Sequence, residues 1–303
     1  RKVFIHIPPG GKDFLKEAVS REGLSCIGRL AIIYAFVAMF WALFDQHSST
    51  WLAQAKDMGR DFVLSDNQWV LMGGGGGLLV GVGLFLSMGK LIPNGFKRFT
   101  VVLGCVGVGA LLGSLGEGSF SVQASQVPAV NPFMVMILIP LTTFGLYPLM
   151  DKLGFKPTPL RRMTIGMLMA SLSFVSVALI QSEMAGVVEI TRPHEFLVFT
   201  AQIPEVHVIW QIIPYFILTL SEVMVSITGL EFGYSQAPKR LKSVVMGFWL
   251  LCVALGNKLV AILSGLKGMD EESFFWLFAI LMAAAGLLFG LIASFYTYRD
   301  RTQ

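Results

Sequence analysis

Eight apolar segments, each close to the length of a membrane span, constrain this chain more than any other feature of its sequence. About 20 predominantly apolar residues cross the hydrocarbon core of a bilayer as one α-helix. Only 14% of the residues are charged, against about 25% in soluble domains. The sequence therefore predicts an all-α membrane protein with about eight transmembrane helices. The segments are residues 30–53, 68–87, 99–115, 132–149, 163–180, 208–230, 243–264 and 274–296.

The basic residues orient these spans. If the first residue lies in the cytoplasm, 18 of the 23 Lys and Arg residues fall on the cytoplasmic side of the eight spans. Cytoplasmic loops carry such an excess of Lys and Arg. The bias predicts a multi-pass protein with both termini in the cytoplasm. It also assigns the net charge of +4 to orientation and to contact with anionic lipid, so we expect no nucleic-acid partner.

Patterns typical of enzymes, cofactors and metal sites are absent from the sequence. Cys26, Cys105 and Cys252 lie in or beside apolar runs, without pairing or metal-binding spacing, and we expect them to be small buried apolar residues. The chain contains neither a nucleotide-binding fingerprint nor a Ser/His/Asp grouping at useful spacing. We therefore expect a protein that is not an enzyme and that holds no metal or cofactor.

Three acidic residues fall within or beside the spans: Asp45, Glu222 and Glu231. A carboxylate at membrane depth is costly unless it is paired, solvated or protonated, so such a residue is a candidate site for a proton or a substrate. Glu222 is the strongest candidate because it lies in the middle of an apolar run, and helical spacing places Ser226 on its face. Glu231 lies nearer the cytoplasmic end, where pairing with Lys or Arg is the simpler interpretation.

The first span carries its own polar face. Trp41, Asp45 and Ser49 are spaced by four residues, so a continuous helix would place them on one side, turned toward the other helices. For Asp45, a purely structural salt bridge and a gating or proton-linked ion pair both remain open. Lys258 in a later span is a possible partner, and His47 is the histidine best placed to influence a proton site.

Glycine dominates one predicted helical hairpin, residues 68–115. Residues 73–77 are five consecutive glycines, and the second segment of the hairpin carries four more. Small residues let helices approach closely in lipid, so the hairpin is predicted to pack tightly. The alternative to tight packing is that the glycine run interrupts its helix, because each Gly costs about 1 kcal/mol relative to Ala.

Two further polar or aromatic residues lie at the starts of spans. Asn131 opens the fourth span, in which Pro140 predicts a kink or a freed carbonyl. Trp249 lies early in the seventh span, where packing is the commoner role of a single Trp.

Several stretches resemble one family. LTLSEVMVSITGLEFGYSQAPK, residues 218–239, is similar to the tenth-helix signature of the proton-coupled oligopeptide transporters of the major facilitator superfamily. FWALFDQ and STWLAQA, residues 40–46 and 49–55, resemble the seventh helix. QVPAVNPFMVMILIP resembles the eighth helix, PLRRMTIGM the approach to the ninth, and SQAPKRLKSVVMGFWLLCVALGN the turn into the eleventh. The matching pieces cover most of the chain in the family's order.

This resemblance implies the C-terminal six-helix half of a major facilitator fold. Residues 1–27 would be a cytoplasmic linker between the halves, and residues 28–303 the transporter half. Within it, residues 68–115 would be an extra transmembrane hairpin between the helices equivalent to seven and eight. The N-terminal half's motifs, including its first-helix glutamates, are not in this sequence. We therefore expect a fragment, or a chain that needs a partner half.

The resemblance also assigns roles to particular residues. Glu222 would hold the peptide's amino terminus and take part in proton coupling, and Asn131 would hydrogen-bond the peptide. Trp249 would line a side-chain pocket and Trp41 would flank the cavity, with Ser226 added to the substrate-binding set. Asp45 would form a salt bridge between the halves that gates the outer side.

The function implied is import of di- and tripeptides across the cell membrane by proton symport. Two alternatives remain open at this point. One is a transporter of the same superfamily that carries another small solute, such as nitrate or amino acids. The other is a non-transporting sensor or assembly subunit, a role for which glycine-rich spans are suited.

Overall fold

Helices make up nearly all of the structure, a computed structural model that describes residues 16, 18–63, 66–87, 95–115, 119–185, 206–238, 241–263 and 269–296. Predictions for the other residues lie outside the described part of the chain. They include most of the predicted linker and most of the polar loop after the fifth span.

The described residues form eleven α-helices. Short turns join three pairs of them into single spans: a 3₁₀ turn at Asp45–Ser48 and π-turns at Thr142–Leu146 and Val223–Ile227. The helices are α1 Arg21–Phe44, α2 Thr50–Lys56, α3 Asp66–Ser87, α4 Gly95–Gly113, α5 Val130–Leu141, α6 Tyr147–Lys152, α7 Pro159–Ala185, α8 Ile212–Glu222, α9 Thr228–Gln236, α10 Lys242–Leu263 and α11 Glu271–Ser294.

All eight predicted spans correspond to helices. Among the described residues, seven stretches are long and apolar enough to cross a membrane: Arg21–Lys56, Asn67–Phe85, Ala124–Lys152, Pro159–Met184, Val208–Gln236, Lys242–Ile262 and Glu271–Ser294. The eighth, Phe99–Gly113 within α4, is apolar but shorter. The helical membrane architecture predicted from the sequence is therefore confirmed.

The first span is not one continuous helix, so its predicted polar face is wrong in part. α1 ends at Phe44, and the next four residues form the 3₁₀ turn. Ser49 then adopts φ −124° and ψ −78°, outside helical geometry. Spacing by four residues predicts a common face only while the chain stays α-helical. Trp41 and Asp45 therefore lie at the end of α1, and Ser49 does not share their helix face.

The glycine run does not interrupt its helix, so the alternative of a break is wrong and the tight packing is observed. α3 passes through residues 73–77 without a break. A Cβ added at Gly77 would overlap the backbone carbonyl of Cys105, and one added at Gly81 would lie 2.8 Å from Cα of Val102. Glycine is therefore required where α3 meets α4, and the close contact between backbones offsets its poor helix propensity. Gly104, by contrast, has open space around it.

The helix containing Pro140 departs from α geometry two residues later, at the π-turn. The hydroxyl of Thr142 donates to the backbone carbonyls of Leu138 and Ile139, at 2.8 and 3.0 Å. Pro140 has no N–H to donate to the carbonyl of Met136, four residues earlier, and so weakens the ladder. The Thr142 hydroxyl bonds two other carbonyls, which belong to the two residues just before Pro140.

The residues divide into two compact units. Unit 1 contains Arg1–Gln46, Thr158–Val175 and Met224–Gln303, and unit 2 contains His47–Pro157 and Ser176–Val223. In unit 1, α1 packs against α9, α10 and α11. Its core is rich in fully buried aromatic side chains, among them Phe40, Phe278 and Phe289. In unit 2, α3 packs against α4 and α5, and α5 packs against α8.

A buried chain of amides stabilises unit 2. Gln54 donates through Nε2 to Oε1 of Gln181, at 2.7 Å, and to the backbone carbonyl of Val177, at 3.2 Å. It accepts at Oε1 from Nε2 of Gln211, at 2.9 Å. Gln54 and Gln211 are both fully buried. Polar groups removed from water must find partners, and these bonds link α2, α7 and the turn that precedes α8.

A small antiparallel sheet closes the base of the glycine-rich hairpin. β1, Asp61–Val63, precedes α3, and β2, Ser119–Ser121, follows α4. Phe62 pairs with Phe120, and their rings stack at 4.9 Å between centroids. The two ends of the hairpin are thereby held together outside the helices.

Candidate functional site

The predicted acid Glu222 lies in unit 2 at the last residue of α8, beside the first turn of α5. Asn131, the second residue of α5, donates through Nδ2 to Oε2 of Glu222 at 3.0 Å. The same nitrogen donates to Oγ1 of Thr219 at 3.1 Å. Asn131 is only 7% exposed and Glu222 is half-buried. The structure therefore brings together Asn131 and Glu222, which the sequence analysis selected separately.

The geometry fixes the orientation of the amide. Thr219 and Glu222 are three residues apart on α8 and share a face. Thr219 donates its hydroxyl hydrogen to the carbonyl of Tyr215, at 2.7 Å, so its oxygen accepts from Asn131. Both Nδ2 hydrogens of Asn131 are then used, and Oδ1 remains as its acceptor. A carboxylate held in this way can bind a proton or an ammonium group.

Thr219 was missed by the sequence analysis as a member of this site. Its spacing of three residues from Glu222 was the available signal, because side chains at that spacing are neighbours on a helix. Thr219 is fully buried.

The predicted aromatic residues meet in unit 1. The ring of Trp249 lies 5.4 Å from that of Tyr34 and 6.4 Å from that of Trp41, edge to face in both cases. Trp249 is 6% exposed. A Cβ added at Gly229 would lie 2.8 Å from Cζ3 of Trp249, so this glycine makes room for the indole. The Nε1 atom of Trp41 is buried and, in the described structure, has no hydrogen-bond partner.

Asp45 is half-buried at the C-terminal end of α1. The carbonyl end of a helix disfavours a negative charge, so this carboxylate needs compensation from its surroundings. α1 contacts α10 closely, since a Cβ at Gly256 would lie 2.7 Å from the carbonyl oxygen of Ala38. The helices of Asp45 and Lys258 therefore touch, and the Lys258 side chain is exposed. The gating role of Asp45 stays a prediction.

Ser226 lines a cavity of about 860 Å³ that lies within unit 1. Glu231 and Arg162 line the same cavity, and Glu222 is not among its lining residues. Ser226 and Glu231 thus share a cavity that the sequence analysis did not anticipate. The substrate-binding role assigned to Ser226 stays a prediction.

No metal site is visible in the described parts of the chain. Among those residues, no three His, Cys, Asp or Glu side chains are grouped so that they could hold a metal ion.

Comparison with known proteins assigns the chain to a family. The family model described as PTR2, POT family, matches residues 110–277, more than half of the chain. Solute carrier family 15 member 2 of Danio rerio is 49% identical over 102 residues, which cover 34% of this chain and 14% of that protein. Peptide transporter family 1 of Drosophila melanogaster is 42% identical over 99 residues, covering 32% of this chain and 13% of that protein.

Solved structures of POT family transporters also match this chain. An auto-inhibited POT family peptide transporter matches with a TM-score of 0.63 and 29% identity, over 93% of this chain and 43% of that chain. The POT family transporter PepTSo matches with a TM-score of 0.61 and 29% identity, over 90% of this chain and 42% of that chain. The matched region is thus less than half the length of each of these proteins. Because the family model matches more than half of it, the chain belongs to the POT family of membrane transporters.

Proposed function

We propose that the protein to which this chain belongs imports di- and tripeptides in symport with protons. The observation that carries the proposal is the hydrogen bond from Asn131 to Glu222, in a span of a POT family chain. Relatives named as peptide transporters support the substrate class over nitrate, single amino acids or a non-transporting role.

The buried carboxylate gives a physical route to coupling. An ionised glutamate is costly to enclose within a membrane protein. Either a proton or the ammonium group of a peptide neutralises it, so closure around an empty, ionised site is disfavoured. Asn131 orients the carboxylate and offers Oδ1 to the peptide, while Thr219 holds the amide in place.

The other residues take supporting roles in this proposal. Trp249 and Trp41 form apolar surface for peptide side chains, and Ser226 supplies a hydroxyl. Asp45 takes part in a gating ion pair. The N-terminal six-helix half, as part of the same chain or as a partner, supplies the rest of the binding site. The protein lies in the cell membrane with both termini in the cytoplasm.

The test uses the full-length protein reconstituted in liposomes. Uptake of labelled dialanine is measured with and without an inward proton gradient, for native protein, Glu222→Gln and Glu183→Gln. Glu183 is an exposed acid near the end of α7 and serves as the matched control. We expect gradient-driven uptake to be lost in Glu222→Gln and retained in Glu183→Gln.

Other results would redirect the proposal. Robust gradient-driven uptake by Glu222→Gln would move the proton site elsewhere, with Asp45 next to test. Uptake of nitrate or amino acids without dialanine uptake would support another substrate. A folded protein that transports none of these would favour the sensor or assembly role, and deletion of residues 68–115 would then test assembly.

A further inference from the structure

The cavity in unit 1 has the dimensions of a small-molecule site. Its walls are the first turns of α7, the π-turn together with α9, and α10. Its volume, about 860 Å³, lies within the range of roughly 300–1,000 Å³ that ligand pockets occupy. Asn131 and Glu222 are not among its lining residues and belong to unit 2.

Opposite charges line this cavity from two different helices. Arg162, on α7, is half-buried and carries a planar guanidinium suited to carboxylate or phosphate oxygens. Glu231, on α9, is an exposed carboxylate suited to an ammonium group. The lining thus presents a cation and an anion to the same space.

The remainder of the lining combines apolar surface with hydroxyl groups. Leu230 and Met246 contribute apolar atoms from α9 and α10, and Ser226 and Ser235 contribute hydroxyls. Mostly apolar walls with a few polar groups are typical of sites that orient a small ligand. A ligand that matches this lining carries one positive and one negative group on a small, partly apolar body.

We propose that this cavity binds a small zwitterion with a primary ammonium group, which Glu231 holds, and an anionic group, which Arg162 holds. Two sources offer this chemistry: a short peptide on its way out of the transporter, and the headgroup of phosphatidylethanolamine. The peptide source rests on the proposed function, and the lipid source does not. The positive-inside rule puts this end of α7 and α9 at the cytoplasmic side, where a peptide would be released.

A cysteine-accessibility experiment tests the site in the full-length protein. Met246→Cys is introduced after every native cysteine of the full-length protein, Cys26, Cys105 and Cys252 among them, has been replaced by Ala, and its modification by a water-soluble thiol reagent is timed. Ile227→Cys, at a position that is 43% exposed, is a second reporter if the first variant does not fold. Nanodiscs of phosphatidylcholine contain either trialanine or no peptide.

We expect trialanine to slow modification in a concentration-dependent manner. N-acetyl-trialanine methyl ester, which lacks both charges, should not protect. Glu231→Gln and Arg162→Gln should each raise the half-protecting concentration by about 10-fold or more, in line with charge-assisted hydrogen bonds. Arg161→Gln is the matched control, because Arg161 adjoins Arg162 on α7 but does not line the cavity. Glu222→Gln should leave the protection in place.

A lipid arm separates the two sources. Phosphatidylethanolamine added to the nanodiscs, without peptide, is tested for protection that depends on Arg162 and Glu231. Protection by either zwitterion supports the site and identifies its source. The inference is overturned if neither trialanine nor phosphatidylethanolamine protects the cysteine. It is also overturned if protection is unchanged in Glu231→Gln and Arg162→Gln, or if Glu222→Gln abolishes it.

Uptake measured on the same variants keeps this inference separate from the proposed function. Gradient-driven dialanine uptake without protection would refute the cavity site alone. Protection without any uptake would refute the proposed function and leave the zwitterion site standing.

Discussion

Asn131 donates to Oε2 of Glu222 at 3.0 Å across 91 residues of sequence, and its second amide hydrogen goes to Thr219. The carboxylate proposed to bind protons and peptide is thereby held by a neutral donor. An amide in this position stabilises the ionised acid without neutralising its charge.

Replacing Asn131 should weaken transport through this bond. A hydrogen bond to a charged group contributes about 1.5–3 kcal/mol, so Asn131→Ala should lower kcat/KM for dialanine by roughly 10- to 100-fold. Asn131→Asp should lower it further, because a second carboxylate would then face Glu222. Uptake kinetics of the full-length variants measure both effects. A change of less than twofold in Asn131→Ala, with normal folding, would show that the bond is unimportant.

Substitution by Ala should change the thermal stability of the protein differently at two nearby glycines of α3. Gly77→Ala places a Cβ against the carbonyl of Cys105 and 3.0 Å from Cα of Val106, so the helices must separate. Gly75→Ala meets nothing within 4 Å and gains about 1 kcal/mol of helix propensity. Thermal unfolding in detergent should therefore give a lower Tm for Gly77→Ala and an unchanged or higher Tm for Gly75→Ala. Equal shifts would contradict the observed packing of α3 on α4.

The amide chain of unit 2 predicts unequal effects at its two buried glutamines. Gln54→Leu removes two donated bonds and one accepted bond, and should destabilise the protein by about 1–3 kcal/mol for each group left unsatisfied. Gln211→Leu should cost less, because Oε1 of Gln211 is already buried with no hydrogen-bond partner in the described structure. Unfolding midpoints of the two variants and of the double mutant measure the difference. A larger loss in Gln211→Leu would reverse the expected order.

Asp270 should give α11 a pH-dependent contribution to stability. Its carboxylate accepts a hydrogen bond from the backbone N–H of Ser273, at 3.0 Å, and caps the helix. This bond lowers the pKa of Asp270 below its usual value near 3.8. A lowered folded-state pKa means that the contribution is complete above the unfolded-state pKa and is lost as the pH falls through the folded-state pKa.

Asp270→Asn keeps an acceptor and removes the charge, so it isolates this effect. The difference in Tm between native protein and Asp270→Asn should be largest near neutral pH. It should disappear as the pH falls below the folded-state pKa of the Asp270 carboxyl group. Asp270→Ala, which also removes the cap, should be less stable than Asp270→Asn across the whole range. A difference between native protein and Asp270→Asn that does not depend on pH would show that the charge does not contribute.

The spans and the candidate acid could be predicted from the sequence because they depend on local composition. The 3₁₀ turn at Asp45–Ser48 could not, because part of its support comes from far along the chain. Tyr215, on α8, donates its hydroxyl hydrogen to the backbone carbonyl of His47, at 2.9 Å. Such a donor can satisfy a carbonyl that a broken helix leaves unpaired. The residues around His47 contain no pattern that predicts this bond.

The continuity of α3 through its glycine run could not be predicted from local sequence either. Propensity alone predicted a break in α3, but propensity is a weak guide where packing decides. The cost of glycine at residues 73, 77 and 81 is offset by the contact with α4, and α4 is separated from them in sequence. The cavity lined by Arg162 and Glu231 was equally inaccessible, because it requires the relative placement of α7, α9 and α10.

The glycine-faced packing of α3 has a consequence for how the chain enters the membrane. The α3 span has a mean hydropathy of 1.4, the lowest of the seven long spans, and α4 carries an apolar stretch too short to be counted with them. A helix whose interface consists of glycine gains little by entering lipid alone, since small residues contribute little to partitioning from the translocon. We therefore expect the ribosome-bound chain to insert α3 and α4 together, as a preassembled pair, after α4 has been synthesised.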